Sequence, residues 1–241
     1  MKVEILYPEV CNLYGDLMNI EYLKRSAGGF EVIETSLKDR PYFADNEDFS
    51  LVYMGTMTER SQELVLEALS PYKERIKELI DKGRIFLFTG NAFEILGEYI
   101  ECDDGTKIDC MGIFKTHAVR RMLERYNSLY VGKFSDGSDN PIDIVGFKSQ
   151  FTHTYGEAES LFDTVRGDGL NPEIKGEGIR ANNFFATYII GPILVLNPPF
   201  TKYLLTLMGV SNPSVAYEEA AMDVYSHRLS EFMEPTRGLT Y

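Results

Sequence analysis

The apolar run Ile85-Phe86-Leu87-Phe88 meets Thr89-Gly90-Asn91 and turns at once into Ala92-Phe93-Glu94-Ile95-Leu96-Gly97. A buried strand, a tight turn and a helix start, in that order, form a nucleophile elbow. Such a turn lifts one side chain above the sheet edge, beside the positive end of the helix. A Ser or Cys at the apex would attack a carbonyl. Here the apex falls at Gly90, flanked by Thr89 and Asn91, so no thiol stands there. Taken alone the pattern has low specificity, because most strand-turn-helix junctions are only connections.

The other residues capable of such chemistry are few. The three cysteines are Cys11, Cys102 and Cys110, and the three histidines are His117, His153 and His227. Cys11 falls in the loop after the first strand, on the edge where open α/β sheets bind ligands. Cys102 and Cys110 flank an Asp103-Asp104-Gly105-Thr106 turn and read as strand-end residues; Asp103-Asp104 is turn chemistry, not a metal site. His117 and His227 sit in polar or helical surface contexts. No CxxC or other ligand spacing occurs, so neither a zinc site nor a disulfide framework is expected. No GxxxxGK[ST] phosphate loop is present, and no ATP site or other cofactor is expected on this chain.

These groups are positioned by alternating strand and helix signals. Strands are expected at Val3–Tyr7, Phe30–Ile33, Phe49–Met54 and Arg84–Phe88. Helices are expected at Asp16–Ser26, ended by Gly28-Gly29, and over Ser61–Lys82, where Val65, Leu69, Tyr72, Ile76, Leu79 and Ile80 share one face. Pro71 predicts a break in that helix. Alternation of this kind implies a three-layer αβα fold with a mostly parallel central sheet. After Cys102 the strands shorten: Tyr130–Phe134, Ile142–Phe147 and Ala186–Leu196 are expected strands, and Val165–Pro172 a loop. Helices over Thr201–Met208 and Ser214–Met233 close the chain. No repeat, linker or internal boundary appears, so residues 1–241 are expected to form one domain.

Thirty-seven acidic against 24 basic residues give a formal charge of −13. Such a surface repels phosphate backbones and anionic lipid, which disfavours nucleic acid and membranes as partners. No apolar run approaches the ~18 residues of a membrane span, and the N-terminus lacks the features of a signal peptide. Cysteine usage of this kind suits a reducing cytoplasm.

Several segments together resemble one family. Leu6-Tyr7-Pro8-Glu9-Val10-Cys11-Asn12-Leu13-Tyr14-Gly15-Asp16-Leu17-Met18-Asn19-Ile20 is similar to the N-terminal signature of class I glutamine amidotransferases of the lipid II isoglutaminyl synthase glutaminase-subunit and cobyric acid synthase type. Tyr53-Met54-Gly55 before Arg60-Ser61-Gln62, Phe93 with Ile95-Leu96-Gly97, Ile144-Val145-Gly146-Phe147, Thr154-Tyr155, Thr187-Tyr188 with Gly191-Pro192, and Asn197-Pro198 continue the match in order. The resemblance implies a class I amidotransferase-like, flavodoxin-like α/β fold.

It also implies a degenerate site. The family's Cys-Gly-Gly-Tyr-Gln elbow aligns with Gly90-Asn91-Ala92-Phe93-Glu94, which puts Gly90 at the nucleophile. The histidine before the late Gly-Pro becomes Ile190. The oxyanion turn reads Gly55-Thr56-Met57, with only its first glycine kept. The Glu-Asn-His-Gly-Gly-Arg stretch becomes Lys148-Ser149-Gln150-Phe151-Thr152-His153. The arginine that grips the substrate carboxylate falls near Leu129, with Arg120, Arg121 or Arg125 as substitutes. Amide hydrolysis by this route needs a thiolate, a base and oxyanion donors. No catalytic residue is therefore expected at the family positions. Cys11 and His153 are the candidates for a relocated nucleophile and base, and Gly55, Thr56, Gly90, Asn91, Glu94, Lys148 and His153 are the expected pocket.

The resemblance further implies a Mur-ligase-like synthetase partner that would hold the ATP chemistry. Three functions are open: a non-catalytic or regulatory subunit in cell-wall precursor amidation; an active glutaminase with relocated residues that supplies ammonia to lipid II or a cobyrinic-acid-like substrate; and a small-molecule binding protein using the old pocket.

Overall fold

The computed structural model describes residues 1–238. The chain runs β1 (Lys2–Leu6), α1 (Met18–Ser26), β2 (Glu31–Thr35), β3 (Leu51–Met54), α2 (Glu59–Leu69), α3 (Lys73–Asp81) and β4 (Phe86–Thr89). It continues with β5 (Tyr99–Glu101), β6 (Lys107–Asp109), β7 (Lys115–Arg120), β8 (Tyr126–Phe134), β9 (Ile142–Gln150), β10 (Thr152–Glu157) and β11 (Phe162–Arg166). The remainder is β12 (Gly176–Glu177), β13 (Ile179–Ala181), β14 (Phe184–Thr187), α4 (Ile193–Leu196), α5 (Pro198–Leu207) and α6 (Glu218–Met233).

Six strands form the central sheet in the order β13-β14-β4-β3-β1-β2, and only the edge strand β13 runs antiparallel to its neighbour. Successive side chains of a strand face opposite ways, and the core divides accordingly. Leu6, Val52, Met54, Phe86 and Phe88 pack with Val65, Leu69, Ile76 and Leu79 of α2 and α3. Val3, Ile5, Leu51, Tyr53 and Leu87 pack with Ile20 and Leu23 of α1 and with Phe200 and Leu204 of α5. Helices thus cover both faces, giving the αβα layering of an α/β fold. The break at Pro71 is present as a 3-10 turn over Ser70–Tyr72 that splits the long helical segment into α2 and α3.

Two smaller sheets, β10-β7-β5-β6 and β12-β11-β8-β9, extend the layers. Ile100 and Ala118 of the first join the α2–α3 side of the core, and Tyr130, Phe134, Ile144 and Phe162 of the second join the α1–α5 side. The chain passes from β9 of one sheet to β10 of the other through the single residue Phe151. Parallelism sets the site: β3, β4 and β14 lie side by side, so the segments after Met54, Thr89 and Thr187 emerge together at one edge.

Two expectations are corrected. The segment after the elbow is a 3-10 helix, Gly90–Leu96, and not an α-helix start. Residues 90–98 are all the chain available between β4 and β5 of a different sheet, which leaves no room for a longer helix. The strand expected over 186–196 ends at Thr187. Gly191 takes φ 124°, Pro192 follows it and cannot donate to a ladder, and Ile193–Leu196 form a helical turn.

The interior also holds one buried ion pair. Lys148 Nζ lies 3.7 Å from Glu177 Oε1, both side chains fully buried, and donates to the carbonyls of Asp168 (3.0 Å) and Gly169 (2.6 Å). Glu177 accepts from Thr187 Oγ1 and Tyr188 N, which pins the end of β14. Lys148→Met is expected to lower stability by about 3 to 5 kcal/mol, because it leaves Glu177 buried without its cation; urea denaturation of the purified variant measures this.

Candidate functional site: a closed elbow over a small cavity

A cavity of about 200 Å³ opens where β3, β4 and β14 end. Gly90 and Ile190, the positions the resemblance gives to nucleophile and base, both line it, together with Thr56, Asn91 and Glu94. The elbow backbone is left-handed at its apex: Gly90 has φ +61°, a conformation that glycine adopts without a steric penalty.

The space a nucleophile would need is filled. A Cβ built on Gly90 would lie 2.1 Å from Thr56 Oγ1, 2.5 Å from its Cγ2 and 2.7 Å from its Cβ. Thr56 cannot swing away freely. Asp16, only 1% exposed, accepts at Oδ2 from Thr56 N (2.8 Å), Thr56 Oγ1 (2.5 Å) and Thr89 Oγ1 (2.9 Å). Asp16 therefore ties the loop after β3 to the last residue of β4. The next amide of that loop is taken as well. Asn91 Oδ1 accepts from Met57 N (3.0 Å), and Asn91 Nδ2 donates to Met57 O (2.9 Å). Both amides of the loop after β3, Thr56 N–H and Met57 N–H, thus point at protein acceptors.

Below the elbow runs a buried polar chain. Arg120 Nη2 donates to Gln62 Oε1 (2.7 Å), Gln62 Nε2 donates to Glu94 Oε2 (2.9 Å), and Tyr188 OH donates to Glu94 Oε1 (2.7 Å). Thr154 Oγ1 lies 2.9 Å from Tyr188 OH. Burial raises the Glu94 carboxyl to about 7, against the lowering effect of its two donors and of Arg120. Burial also raises the Tyr188 phenol well above its ordinary value.

The remaining expected site residues lie elsewhere. Gly55 sits beneath the wall, where a Cβ would come 2.3 Å from the Cys11 carbonyl. Lys148 does not face the cavity, being held by Glu177 and two carbonyls. His153 lies on β10, 5% exposed, with its ring edge-on to Tyr126 at 4.5 Å and neither ring nitrogen hydrogen-bonded. Burial first, then the nearby Lys148 charge, lowers its basicity. Cys11 is 1% exposed with its thiol 3.9 Å from Met57 Sδ, and burial raises its pKa. Neither Cys11 nor His153 lines the cavity, so the relocated pair does not converge there.

Of the three substitute arginines, Arg125 alone lines the cavity, with its guanidinium 5.0 Å from the Phe151 ring centre. Arg120 is committed to Gln62, and Arg121 donates to the Arg120 carbonyl. Leu13, Tyr14, Met122, Gln150, Phe151 and Tyr188 also line the cavity and were not expected from sequence. They come from loops and strand ends whose spatial approach has no periodic signal. Among the described residues no cluster of His, Cys, Asp or Glu is arranged to hold a metal ion, and no helix is long and apolar enough to cross a membrane.

The parallel sheet, the elbow and the flanking loops define an amidotransferase-type fold. Solved structures share it: the PurLQS assembly of Thermotoga maritima (TM-score 0.53, 14% identity, 95% of this chain and 98% of that one) and a glutamine amidotransferase of the same organism (TM-score 0.52, 13% identity, 96% and 91%). Residues 2–197 match the CobB/CobQ-like glutamine amidotransferase domain, and the chain belongs to that family. It is 31% identical over 198 residues to subunit GatD of the glutamine-hydrolysing lipid II isoglutaminyl synthase of Staphylococcus aureus strain N315, covering 80% of this chain and 78% of that one. It is 26% identical over 213 residues to the subunit of the same name from Streptococcus pneumoniae strain R6, covering 86% and 79%.

Two outcomes follow from the geometry. Gly90→Ala is expected to cost about 2 to 4 kcal/mol, from the left-handed backbone and the collision with Thr56. Thr56→Gly with Gly90→Ala should recover part of that loss; thermal denaturation of the two variants checks both. The second concerns pH. The Glu94 carboxyl is raised above the unfolded value near 4.5, so its favourable contribution is full below pH 4.5 and is lost as pH rises through 7. In Glu94→Gln that portion of the pH dependence, up to about 3 kcal/mol, should disappear. The amide can still accept from Gln62 and donate to Tyr188. Parallel urea titrations between pH 4.5 and 8 provide the comparison.

Proposed function

We propose that this chain is a non-hydrolysing, amidotransferase-like subunit that works with a Mur-ligase-like synthetase in the amidation of cell-wall precursors. The observation that carries the reading is the filled nucleophile slot: the Thr56 side chain stands where a cysteine at position 90 would stand, fixed there by Asp16. The loss of chemistry is thus built into the packing around the elbow and is more than a single replaced residue. Without a thiolate at 90 or a base at 190, attack on an amide carbonyl has no route. With both amides of the oxyanion turn engaged, the tetrahedral intermediate also loses donors worth roughly 3 to 4 kcal/mol. The family context comes from the two GatD relatives, whose names describe glutamine-hydrolysing subunits.

An active glutaminase built on Cys11 and His153 is the weaker alternative, since both side chains are buried away from the cavity. A free-standing binding protein is supported by the cavity itself but leaves the subunit-like relatives unexplained. The reading is tested by measuring ammonia from glutamine, with the chain alone and with the co-purified synthetase. Release at the level of the protein-free blank is expected, unchanged in Cys11→Ser. Release well above the blank that Cys11→Ser abolishes would falsify the proposal in favour of the relocated enzyme.

A further inference from the structure

His153 stands directly behind the cavity wall, at the corner where the two small sheets meet. It follows the wall residue Thr152, and its ring packs edge-on against Tyr126, the first residue of β8, with 4.5 Å between ring centres. Two pieces of the wall join at this corner. The loop between β7 and β8 supplies Met122 and Arg125, and the β9–β10 turn supplies Gln150, Phe151 and Thr152. The Arg121 amide ties the loop to the turn by donating to the Phe151 carbonyl (2.6 Å), and the Thr154 amide ties β10 to the Leu170 carbonyl (3.1 Å). The imidazole adds packing and no hydrogen bond: His153 is 5% exposed, and neither ring nitrogen has a partner. A neutral ring at such a place leaves one donor and one acceptor unmet, whereas an imidazolium leaves two donors and a charge.

We propose that His153 is a pH-sensitive pin: neutral, it holds the β7–β8 loop against the β9–β10 turn, and protonated, it releases them and opens this wall of the cavity. The proposal is independent of the subunit reading above. The surroundings set its sign. From β9 the Lys148 ammonium, fixed by Glu177 and two carbonyls, repels a charged ring. Asp168 on the loop after β11 and Glu124 on the loop after β7 attract one, as does the Leu170 carbonyl that already accepts from Thr154. Neither carboxylate hydrogen-bonds the ring. Tyr126 presents its ring from β8, and Val119, opposite His153 on β7, carries no charge. Burial first, then Lys148, outweighs these attractions and lowers the basicity of the imidazole. An opened corner returns the ring to water, where it titrates near 6.5. The contribution of the pin is therefore full above pH 6.5 and is lost as pH falls below that value. Release is local, because residues 121–125 are all exposed and little packing holds the loop once the pin is charged.

Hydrogen exchange of the full chain, read by mass spectrometry at pH 7.5 and 5.5 and corrected for the intrinsic rate, tests the pin. Amides of residues 121–126 and 151–154 are expected to open about 5- to 10-fold more at pH 5.5, from the tenfold factor that each pH unit below the unfolded value supplies. Those of β4 should not change. In His153→Phe, which keeps an aromatic ring and binds no proton, the acceleration should vanish. In Glu94→Gln, which removes the opposite pH dependence of the cavity floor, it should remain. Acceleration that is absent from the wild type, persists in His153→Phe or disappears in Glu94→Gln overturns the proposal. Should His153→Phe not fold, the imidazole proton signal of the wild type decides, assigned by elimination with His117→Gln and His227→Gln. A His153 midpoint below 6.5, together with the faster exchange, supports the pin. A midpoint at or above 6.5 means that the folded corner accommodates the charge, and overturns it.

Discussion

The buried carboxylate of Asp16 is the constraint on which the site depends. It reaches from the segment after β1 to the loop after β3 and the end of β4, accepting three hydrogen bonds from Thr56 and Thr89. Tyr53 reinforces the contact by donating to the Asp16 carbonyl from within β3. Parallel strands bring these segments to one edge, but nothing in a sheet fixes the loops beyond it. A charged acceptor with several donors does, because charge-assisted hydrogen bonds are stronger than neutral ones and a buried carboxylate is costly to leave unpaired. The position of Thr56 follows from Asp16, and the closure of the elbow follows from Thr56.

Seen this way, Gly90 and Thr56 are complementary. Any side chain at 90 needs the volume Thr56 occupies, and Thr56 needs a residue without a Cβ at 90. Placing a cysteine at 90 alone would meet a packed wall, and removing the Thr56 side chain alone would leave a void and take the Oγ1 donor from Asp16, the backbone N–H remaining. The scaffold has a left-handed apex at Gly90, with the Thr56 side chain packed over it.

The layering was legible because its signals are local and periodic. Alternation in Val3-Ile5-Tyr7, the apolar run at 85–88 and the 3.6-residue stripe through Val65, Leu69, Ile76 and Leu79 each depend only on near neighbours in sequence. The break at Pro71 was legible for the same reason. The 3-10 helix after Gly90 was not, since its form is set by the short path from β4 to a strand in another sheet. Ala186–Leu196 misled because Gly191-Pro192 divides an apolar stretch that is continuous in composition. Gly90 and Ile190 were placed by motif register, and the parallel sheet brings them to one cavity. Lys148 and His153 were assigned to the pocket by that same register; Lys148 is instead drawn to Glu177 and the carbonyls of Asp168 and Gly169, and His153 follows Thr152 onto the opposite face of β10. Gln150 and Thr152 face the cavity, while Lys148 and His153 face away from it. The role of Asp16 was hidden, because its partners lie 40 and 73 residues further along the chain.

The polar chain from Arg120 through Gln62, Glu94 and Tyr188 to Thr154 bears on what the cavity is for. A carboxyl buried deeply enough to titrate near 7 opposes folding at neutral pH, and an apolar residue of similar size would not. Local choices that conflict with stability tend to gather where a structure does something else. Here the conflict lies in the cavity wall, beneath an elbow whose apex is packed against Thr56. A floor held polar by Arg120, Gln62 and Tyr188 around Glu94 marks the place where this fold gives up stability.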